Sequence, residues 1–461
     1  MDTILHLMPL WMFFALGLLL FTGYPVAFVL GGVGLAFALI GDMVGMFRLQ
    51  QLSLITLRIY GSTMESPVLV AIPMFIFMGT MLEKSGVARD LLNTLQILLR
   101  RVPGGLALSV TLMGTIMAAT TGIIGASVVM ITLMALPVMI ERRYDLPLAT
   151  GTIAASGTLG ILIPPSIMLV IMSDLLSVPV GTVFIAAVLP GLLLSALYFV
   201  YIWALAHFKP HLAPPLPDEQ GPDTRGEFWL MIVKSFVPPI FLIALVLGSI
   251  FAGWATPTEA AGVGAGGSVL LALFNGSLTW PVFREVCERS ALTGAMLFGI
   301  FVGATCFSYV FRALGGEHLI VDFIQSTGVG PWSILAVLML MIFLLGFFFD
   351  WIEITLIVMP VFAPIVGLLD FHGHVGVWDG ISQANIIWFL ILAAVNLQTS
   401  FLTPPFGFAL FYMKGVAPPE VKIQDIYKGI IPFVALQLFG LLLCILFPEI
   451  VLWLPSALLG H

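Results

Sequence analysis

The chain has 461 residues, of which 60% are hydrophobic and only 9% are charged, and its formal net charge is −7. Soluble domains carry about 25% charged residues, so this composition excludes an ordinary soluble protein and predicts one that is embedded in a lipid bilayer. The sequence has no basic run of the kind that binds nucleic acid. Its cysteines lack metal-site spacing and are interpreted as small core residues: Cys287, Cys306 and Cys444.

Long apolar segments follow one another along the chain, and most approach the length of about 20 residues that a helix needs to span a membrane. An outer-membrane barrel would show strands of about 10 residues with alternating polarity instead. The sequence therefore predicts a polytopic, all-α membrane protein. The segments lie at 7–21, 24–41, 67–82, 104–140, 147–172, 178–206, 231–252, 256–275, 291–311, 332–369, 385–413 and 429–459.

A polar, proline-rich stretch at 207–230 is interpreted as a cytoplasmic loop that joins two halves. In each half, one double-length apolar segment predicts a re-entrant hairpin, and a proline-interrupted segment after it predicts a broken helix. The predicted divisions are scaffold helices in 1–66, a first repeat in 67–206, scaffold helices in 231–290, and a second repeat with a C-terminal helix in 291–461. The hairpins are predicted at about 104–140 and 332–369, and the broken helices at about 147–172 and 385–413.

Two short motifs recur in the same order in both halves. The pattern Ile-Thr-Leu-x-x-x-Pro-Val begins at Ile131 and again at Ile354, and Leu-x-Pro-Pro begins at Leu162 and again at Leu402. An ordered pair of recurring motifs indicates an internal repeat, although the second half contains an insertion at about 370–384.

The basic residues predict that the two halves have opposite orientations. Arginines flank the first hairpin, whereas the flanks of the second have none, and lysines follow only the second double proline. Under the positive-inside rule the first hairpin opens to the cytoplasm and the second to the outside, which is the inverted repeat of an alternating-access transporter. Three arginines fall on the outer side in this scheme and count against it: Arg48, Arg58 and Arg312.

Both double prolines lie inside apolar runs that are rich in hydroxyl and amide side chains. Proline breaks a helix, and the carbonyls that it frees must face protein, water or a cation rather than lipid. Oxygen groups of this kind suit Na⁺, so the pair of breaks predicts an ion or substrate site. The alternative is a pair of kinked structural helices whose hydroxyls are satisfied internally.

The middle of the second hairpin carries two acidic residues, Asp350 and Glu353, beside Gly346. An ionisable group inside a membrane segment costs at least about 2.5 kcal/mol and marks a functional site by default. Alignment of the repeats places Ser127 of the first hairpin opposite Asp350. The alternative is that both acids lie at a membrane edge or pair with a neighbour.

Other polar features receive structural interpretations. Thr256, Pro257 and Glu259 have the spacing of a helix start with a capping box. The histidines are scattered and form no metal motif, and no phosphate-binding loop for ATP is present. We expect no cofactor, and the absence of paired catalytic groups argues against a membrane-embedded enzyme.

An ordered set of motifs runs along nearly the whole chain: Pro73–Gly79, Pro103–Ala107, Ala154–Ser166, Leu189–Gly191, Thr256–Ala261, Gly346–Asp350 and Thr403–Gly407. This set resembles the large membrane subunit of the tripartite ATP-independent periplasmic (TRAP) transporters. The resemblance implies an elevator-type member of the ion transporter superfamily in a bacterial inner membrane, coupled to Na⁺. It also implies three partners: a small four-helix membrane subunit, a periplasmic substrate-binding protein and an organic acid substrate.

The resemblance also implies site residues. The first Na⁺ site would involve Gly122, Ser127, Ser156, Gly157 and Thr158, and the second Gly346, Asp350, Thr399, Ser400 and Thr403. The substrate would lie near Pro164, Pro165, Ser166, Asn396 and Glu353. Where the family often has small hydroxyl residues in the first hairpin, this chain has Ile123 and Ile124, which exclude side-chain ligation there. Two alternatives remain at this point: a self-sufficient Na⁺- or H⁺-coupled dicarboxylate or citrate carrier, and a channel.

Overall fold

A computed structural model describes residues 7–121, 124–215, 224–319, 322, 330–371, 373–404 and 407–460. Within those residues every regular element is a helix. The first half contains α1 (Met8–Leu20), α2 (Val26–Met43), α3 (Ser53–Ile59), α4 (Ala71–Lys84), α5 (Val87–Leu98), α6 (Gly105–Thr121), α7 (Ile124–Glu141), α8 (Leu146–Thr158), α9 (Ile167–Leu175) and α10 (Val180–Phe208). The second half contains α11 (Arg225–Phe251), α12 (Pro257–Phe274), α13 (Trp280–Ala313), α14 (Pro331–Leu345), α15 (Trp351–Leu368), α16 (Ala384–Leu402), α17 (Phe408–Val416), α18 (Ile423–Leu446) and α19 (Glu449–Leu459).

The described helices confirm the prediction of a polytopic, all-α membrane protein. Eight of them are long and apolar enough to cross a bilayer. A ninth span is formed if the pair Leu49–Met64 and Val68–Lys84, which is bent by 59°, is counted as one. The predicted start of α12 is also confirmed, because Thr256 and Glu259 cap each other's backbone N–H groups, at 3.3 and 2.8 Å.

Each long apolar segment that predicts a hairpin forms two helices whose far ends meet. Helices α6 and α7 pack together, and the N–H of Leu106, at the start of α6, donates to the Tyr144 hydroxyl just beyond α7, at 3.3 Å. Helices α14 and α15 likewise pack together, and the Trp332 ring lies edge-on to Phe371, with centroids 5.4 Å apart. In each pair, the start of the first helix and the end of the second therefore lie on the same side of the molecule, as in a hairpin.

The helices form two packing groups. The first, here called the scaffold group, consists of α1–α4 and α11–α13, in which α2 packs along α13 and α4 along α12. The second, here called the hairpin group, consists of α6–α10 and α14–α19 and is centred on contacts of α8 with α7 and α18. Helix α5 contacts α6 and α11 and so touches both groups. The scaffold group thus includes α4, at the start of the predicted first repeat, and α13, which spans the predicted boundary at 291.

In the hairpin group, the second part of each broken helix packs on the hairpin of the other half of the chain. Helix α9, the second part of the first broken helix, packs on α15 of the second hairpin. Helix α17, the second part of the second broken helix, packs on α7 of the first hairpin. This reciprocal arrangement is expected of two inverted repeats that meet around one central region.

Most basic residues lie on one face of the molecule. All but three of the 17 lysines and arginines belong to helix ends and loops that contact one another there, and the exceptions are Arg48, Arg58 and Arg312. The positive-inside rule identifies this face as cytoplasmic. The contacts that join it are Lys84–Glu285, Thr94–Ser235, Gly104–Ala213, Asp145–Leu212 and Thr150–Asp425.

Helices α8 and α18 approach so closely that only glycine fits at their crossing. A Cβ atom on Gly151 would lie 2.1 Å from the carbonyl oxygen of Gly429, and one on Gly429 would lie 2.1 Å from that of Pro147. Small residues are the usual means of close helix contact in membranes, where no hydrophobic force drives helices together. This crossing therefore holds the first broken helix in its place.

We expect Gly151→Ala to lower the midpoint of thermal unfolding, because the methyl group must push α18 away. Overpacking of this kind costs about 1–3 kcal/mol. Gly266→Ala in α12 is the matched control, since a Cβ there meets nothing within 4 Å. Intrinsic fluorescence of the purified protein measures both midpoints, and equal midpoints for the two variants would contradict the packing argument.

Candidate functional site

The first hairpin rests on the end of α8 through small residues. A Cβ on Gly114 of α6 would lie 2.7 Å from the Cβ of Ser156, and one on Gly157 would lie 2.5 Å from a methyl group of Val128 in α7. The Ser156 hydroxyl also lies 3.5 Å from that of Thr111 in α6. The structure thus brings Ser156 and Gly157 against the turn of α7 that follows the buried Ser127.

The first broken helix is interrupted for eight residues between α8 and α9. A 3₁₀ turn at Leu159–Ile161 leads to the pair Pro164-Pro165, and Ser166 then caps α9 by accepting the Leu169 N–H at 3.5 Å. The Ser166 hydroxyl donates to the carbonyl of Ile161. One buried side chain thereby satisfies a carbonyl on one side of the break and an N–H on the other.

The second hairpin rests on α16 in a comparable way. The Asn396 amide donates to the carbonyl of Met339 in α14, at 2.6 Å. A Cβ on Gly346, at the end of α14, would lie 2.0 Å from the Cβ of Ser400. Asn396 occupies the same place before its double proline that Ser156 occupies before the first. Equivalent positions in the two halves therefore each contact the first arm of their own hairpin.

Three threonine hydroxyls at the two sites donate their protons to backbone carbonyls of their own helices. Thr158 donates to Ala155 at 2.9 Å, Thr399 to Asn396 at 2.5 Å, and Thr403 to Thr399 at 2.6 Å. Each hydroxyl has one proton and two lone pairs, so these oxygens are left with acceptor capacity alone. Such oxygens in a buried site can coordinate a cation but cannot serve as donors to an anion.

The two acidic residues begin α15 and face different spaces. Asp350 caps the helix by accepting the Trp351 N–H at 2.8 Å and borders the cavity between the hairpins. Glu353 is buried, and its Oε2 atom has no hydrogen-bond partner. Both acids also border a neighbouring, mostly apolar cavity of about 420 Å³, which reaches Pro25 of the scaffold group. Asp350 is therefore the acidic residue that the two cavities share.

A cavity of about 380 Å³, here called the central cavity, lies where the two hairpins meet the scaffold group. Ile124–Ala126 of the first hairpin and Asp350–Ile352 of the second border it from opposite sides. The half-helices contribute Ile167, Phe401, Phe408 and Tyr412. The scaffold group closes it with Thr80 and Glu83 of α4 and Arg289, Thr293, Met296 and Leu297 of α13.

The structure brings some predicted site residues together and separates others. Ser156, Gly157 and Thr158 lie at the first hairpin, and Gly346, Thr399, Ser400 and Thr403 at the second. Ser166, Asn396 and Glu353 do not line the central cavity, and Gly122 falls outside the described residues. The sequence interpretation missed Arg289, Tyr412 and the threonines of the scaffold wall. Basic residues near a helix start and lone aromatics give no pattern that singles them out.

We expect Gly346→Ala to displace the second hairpin from α16 and to lower the thermal midpoint measured without Na⁺. The added methyl group would overlap the Ser400 side chain, so the double variant Gly346→Ala with Ser400→Gly should regain stability. Thermal unfolding of the parent, both single variants and the double variant tests this. A stable Gly346→Ala single variant would show that the contact does not hold the hairpin.

A membrane-embedded chain with two inverted halves, two hairpins and two broken helices around one cavity defines a multi-pass membrane transporter. Comparison with known proteins gives the family. A sequence profile described as "Tripartite ATP-independent periplasmic transporter, DctM component" matches residues 12–450. The chain belongs to this family, whose members are transporter permease subunits and not enzymes, and it is a multi-pass protein of the inner membrane.

Similar proteins of named function support the assignment. The C4-dicarboxylate TRAP transporter large permease protein DctM of Pseudomonas aeruginosa is 30% identical over 403 residues, which cover 86% of this chain and 87% of that protein. The sialic acid TRAP transporter large permease protein SiaM of Vibrio cholerae is 26% identical, over 96% of this chain and 97% of the relative. The YdaH transporter of Alcanivorax borkumensis has a similar fold, with a TM-score of 0.60 at 17% identity over 90% of this chain and 91% of that one.

Proposed function

We propose that this chain is the large membrane subunit of a Na⁺-coupled system that takes up an organic acid delivered by a periplasmic binding protein. The observation that carries the proposal is the central cavity, bordered by the tips of two inverted hairpins, each of which rests on a broken helix. A binding site between inverted repeats, formed by discontinuous helices, is the arrangement that alternating access requires.

The solute in this proposal is a small organic anion. Named relatives transport C4-dicarboxylates, sialic acid and 2,3-diketo-L-gulonate, all of which carry an ionised acid group. The central cavity, at about 380 Å³, falls within the range of about 300–1,000 Å³ that is typical of small-molecule sites. Its mixture of apolar and aromatic walls with a few polar groups suits a small acid that is oriented by few contacts.

The proposed coupling ions lie behind the cavity, one at each hairpin. The first would be held by oxygens near Ser127, Ser156, Gly157 and Thr158, and the second by Asp350 with oxygens near Gly346, Thr399, Ser400 and Thr403. The acceptor-only hydroxyls described above support this, because a cation is the ligand that they can serve. Na⁺ bound there would offset the cost of moving an anion through the membrane.

The proposed mechanism is an elevator movement of the hairpin group along the scaffold group. Most helix packing lies inside the two groups, and their shared boundary runs along α4 and α13 against α6, α9 and α15. A boundary of few helices between two well-packed bodies is one that can slide without disrupting either core. The small four-helix subunit and the binding protein would complete the system, as the family name implies.

We expect Asp350→Asn to weaken or abolish stabilisation by Na⁺. A ligand that binds only the folded state at 100 times its dissociation constant adds about 2.7 kcal/mol to the free energy of unfolding. The thermal midpoint of the parent protein should therefore rise saturably in NaCl compared with equal KCl. Asp90→Asn, on the exposed face of α5, is the matched control and should keep the Na⁺ response. A full Na⁺ response in Asp350→Asn would remove Asp350 from the ion site.

Uptake into proteoliposomes tests the function as a whole. We expect accumulation of labelled succinate or sialic acid only when an inward Na⁺ gradient, the copurifying small subunit and the delivering binding protein are all present. Uptake by the chain alone would instead identify a self-sufficient carrier of the same superfamily. Rapid downhill flux that does not saturate would identify a channel and contradict the proposal.

A further inference from the structure

The central cavity faces the cytoplasmic half of the scaffold group. Its wall on α13 runs from Arg289 to Leu297, within the half of the helix that begins at Trp280 on the basic face. Its wall on α4 consists of Thr80 and Glu83, in the last turns before Lys84 on the same face. In this conformation a solute held between the hairpins therefore lies near the cytoplasm.

Two hydrogen bonds join the two groups at the outer half of the same boundary, where their residues also line a cavity of about 640 Å³. The Ser66 hydroxyl, between α3 and α4, donates to Asp174 of α9 at 2.7 Å. Arg312, in the last turn of α13, donates to the carbonyl of Pro360 in α15 at 3.0 Å. That carbonyl lacks its ordinary helical donor because Pro364, four residues later, has no N–H. These bonds join the two groups without filling the outer end, so the cytoplasmic position of the site rests on its walls on α4 and α13.

Arg289 is the single basic side chain among the described residues that line the central cavity. Its guanidinium lies 3.9 Å from the Glu83 carboxylate, beyond ordinary hydrogen-bond distance, and the side chain is half exposed. Arg289 belongs to the scaffold group, whereas Asp350 and the hairpin tips across the cavity belong to the hairpin group. Among the described residues, the guanidinium of Arg289 therefore faces the proposed solute position with Glu83 as its ion-pair partner, at long range.

We propose that Arg289 is a release-side anion site, which pairs with the acid group of the solute when the hairpins face the cytoplasm. The inference rests on the proposed function and adds a residue of the scaffold group to it. Guanidinium binds carboxylates through two parallel hydrogen bonds, which suits the acids that the named relatives transport. Arg289 pairs with the anion at the cytoplasmic end of the movement, because the hairpins carry the solute and α13 does not move with them.

Glu83 is the competitor that completes this site. Of the two acids near Arg289, Glu285 is paired with Lys84 at 2.7 Å. This leaves the Glu83 carboxylate as the partner that an arriving carboxylate would replace. Departure of the solute to the cytoplasm would return Arg289 to Glu83. The weak, long ion pair keeps this exchange easy, since a partly solvated pair of this kind contributes little stability. The pair therefore favours release over tight retention.

The test is a titration of the purified protein in NaCl with succinate or sialic acid, followed through the thermal midpoint. We expect Arg289→Gln to require about tenfold more acid for the same rise, since hydrogen bonds to a charged group are lost. Arg289→Lys should lie between Arg289→Gln and the parent. Glu83→Gln should shift the titration to lower concentrations because it removes the carboxylate that pairs with Arg289. The matched control is Arg284→Gln, one turn nearer the cytoplasm, where the arginine pairs with Glu288 and does not line the cavity.

The outcomes separate this inference from the proposed function. Normal titration of Arg289→Gln beside a responding parent would overturn the role of Arg289 alone. Equal weakening by Arg289→Gln and Glu83→Gln would indicate that the pair is structural, and would also overturn it. A parent protein that responds to neither acid would overturn the proposed substrate class and, with it, the anion site.

Discussion

The structure depends on one constraint: a backbone that is broken inside a membrane must satisfy its polar groups without water. The double proline after α8 frees carbonyls and N–H groups at a depth where lipid offers no partner. Ser166 supplies part of the answer by bonding to Ile161 on one side of the break and to Leu169 on the other. Hairpins packed against each break supply the rest, because they keep lipid away. Each half of the chain thus satisfies its broken backbone in the same way, with a hairpin packed against the break, and the two halves do so in opposite orientations.

Much of the fold could be predicted from the sequence, because membrane-spanning helices have clear local sequence signals. Long apolar runs, basic residues on one side and proline pairs within hydrophobic segments are local signals whose physical meaning does not depend on distant contacts. The inverted repeat could be predicted from the same signals. The boundary between the scaffold group and the hairpin group could not, because α4 and α13 belong to the scaffold group through contacts with α12 and α2 that no local pattern encodes.

The site was predictable only where the sequence signal lies on the broken elements themselves. Asp350 stands out because a charged residue is unusual inside a membrane segment, Ser156 and Gly346 followed from the family resemblance, and the structure places all three at the hairpins. Arg289 gave no signal, because an arginine near the start of a membrane helix ordinarily sits at the headgroups. Its position at the cavity results from how the hairpin group packs against α13. That packing is decided by contacts between distant segments and leaves no local trace in the sequence.

The two hydrogen bonds at the outer end of the boundary also have a thermodynamic meaning. Each contributes about 1 kcal/mol net, so a movement that breaks both without replacing them costs about 2 kcal/mol, or about 30-fold in population. In the proposed cycle, that cost favours the position in which the central cavity lies toward the cytoplasm. A free solute molecule outside would seldom reach the central cavity, whereas a protein that docks on the outer face can offset the bias through its own binding energy. The need for a delivering partner would then reflect the resting equilibrium of the permease as much as the affinity of its site.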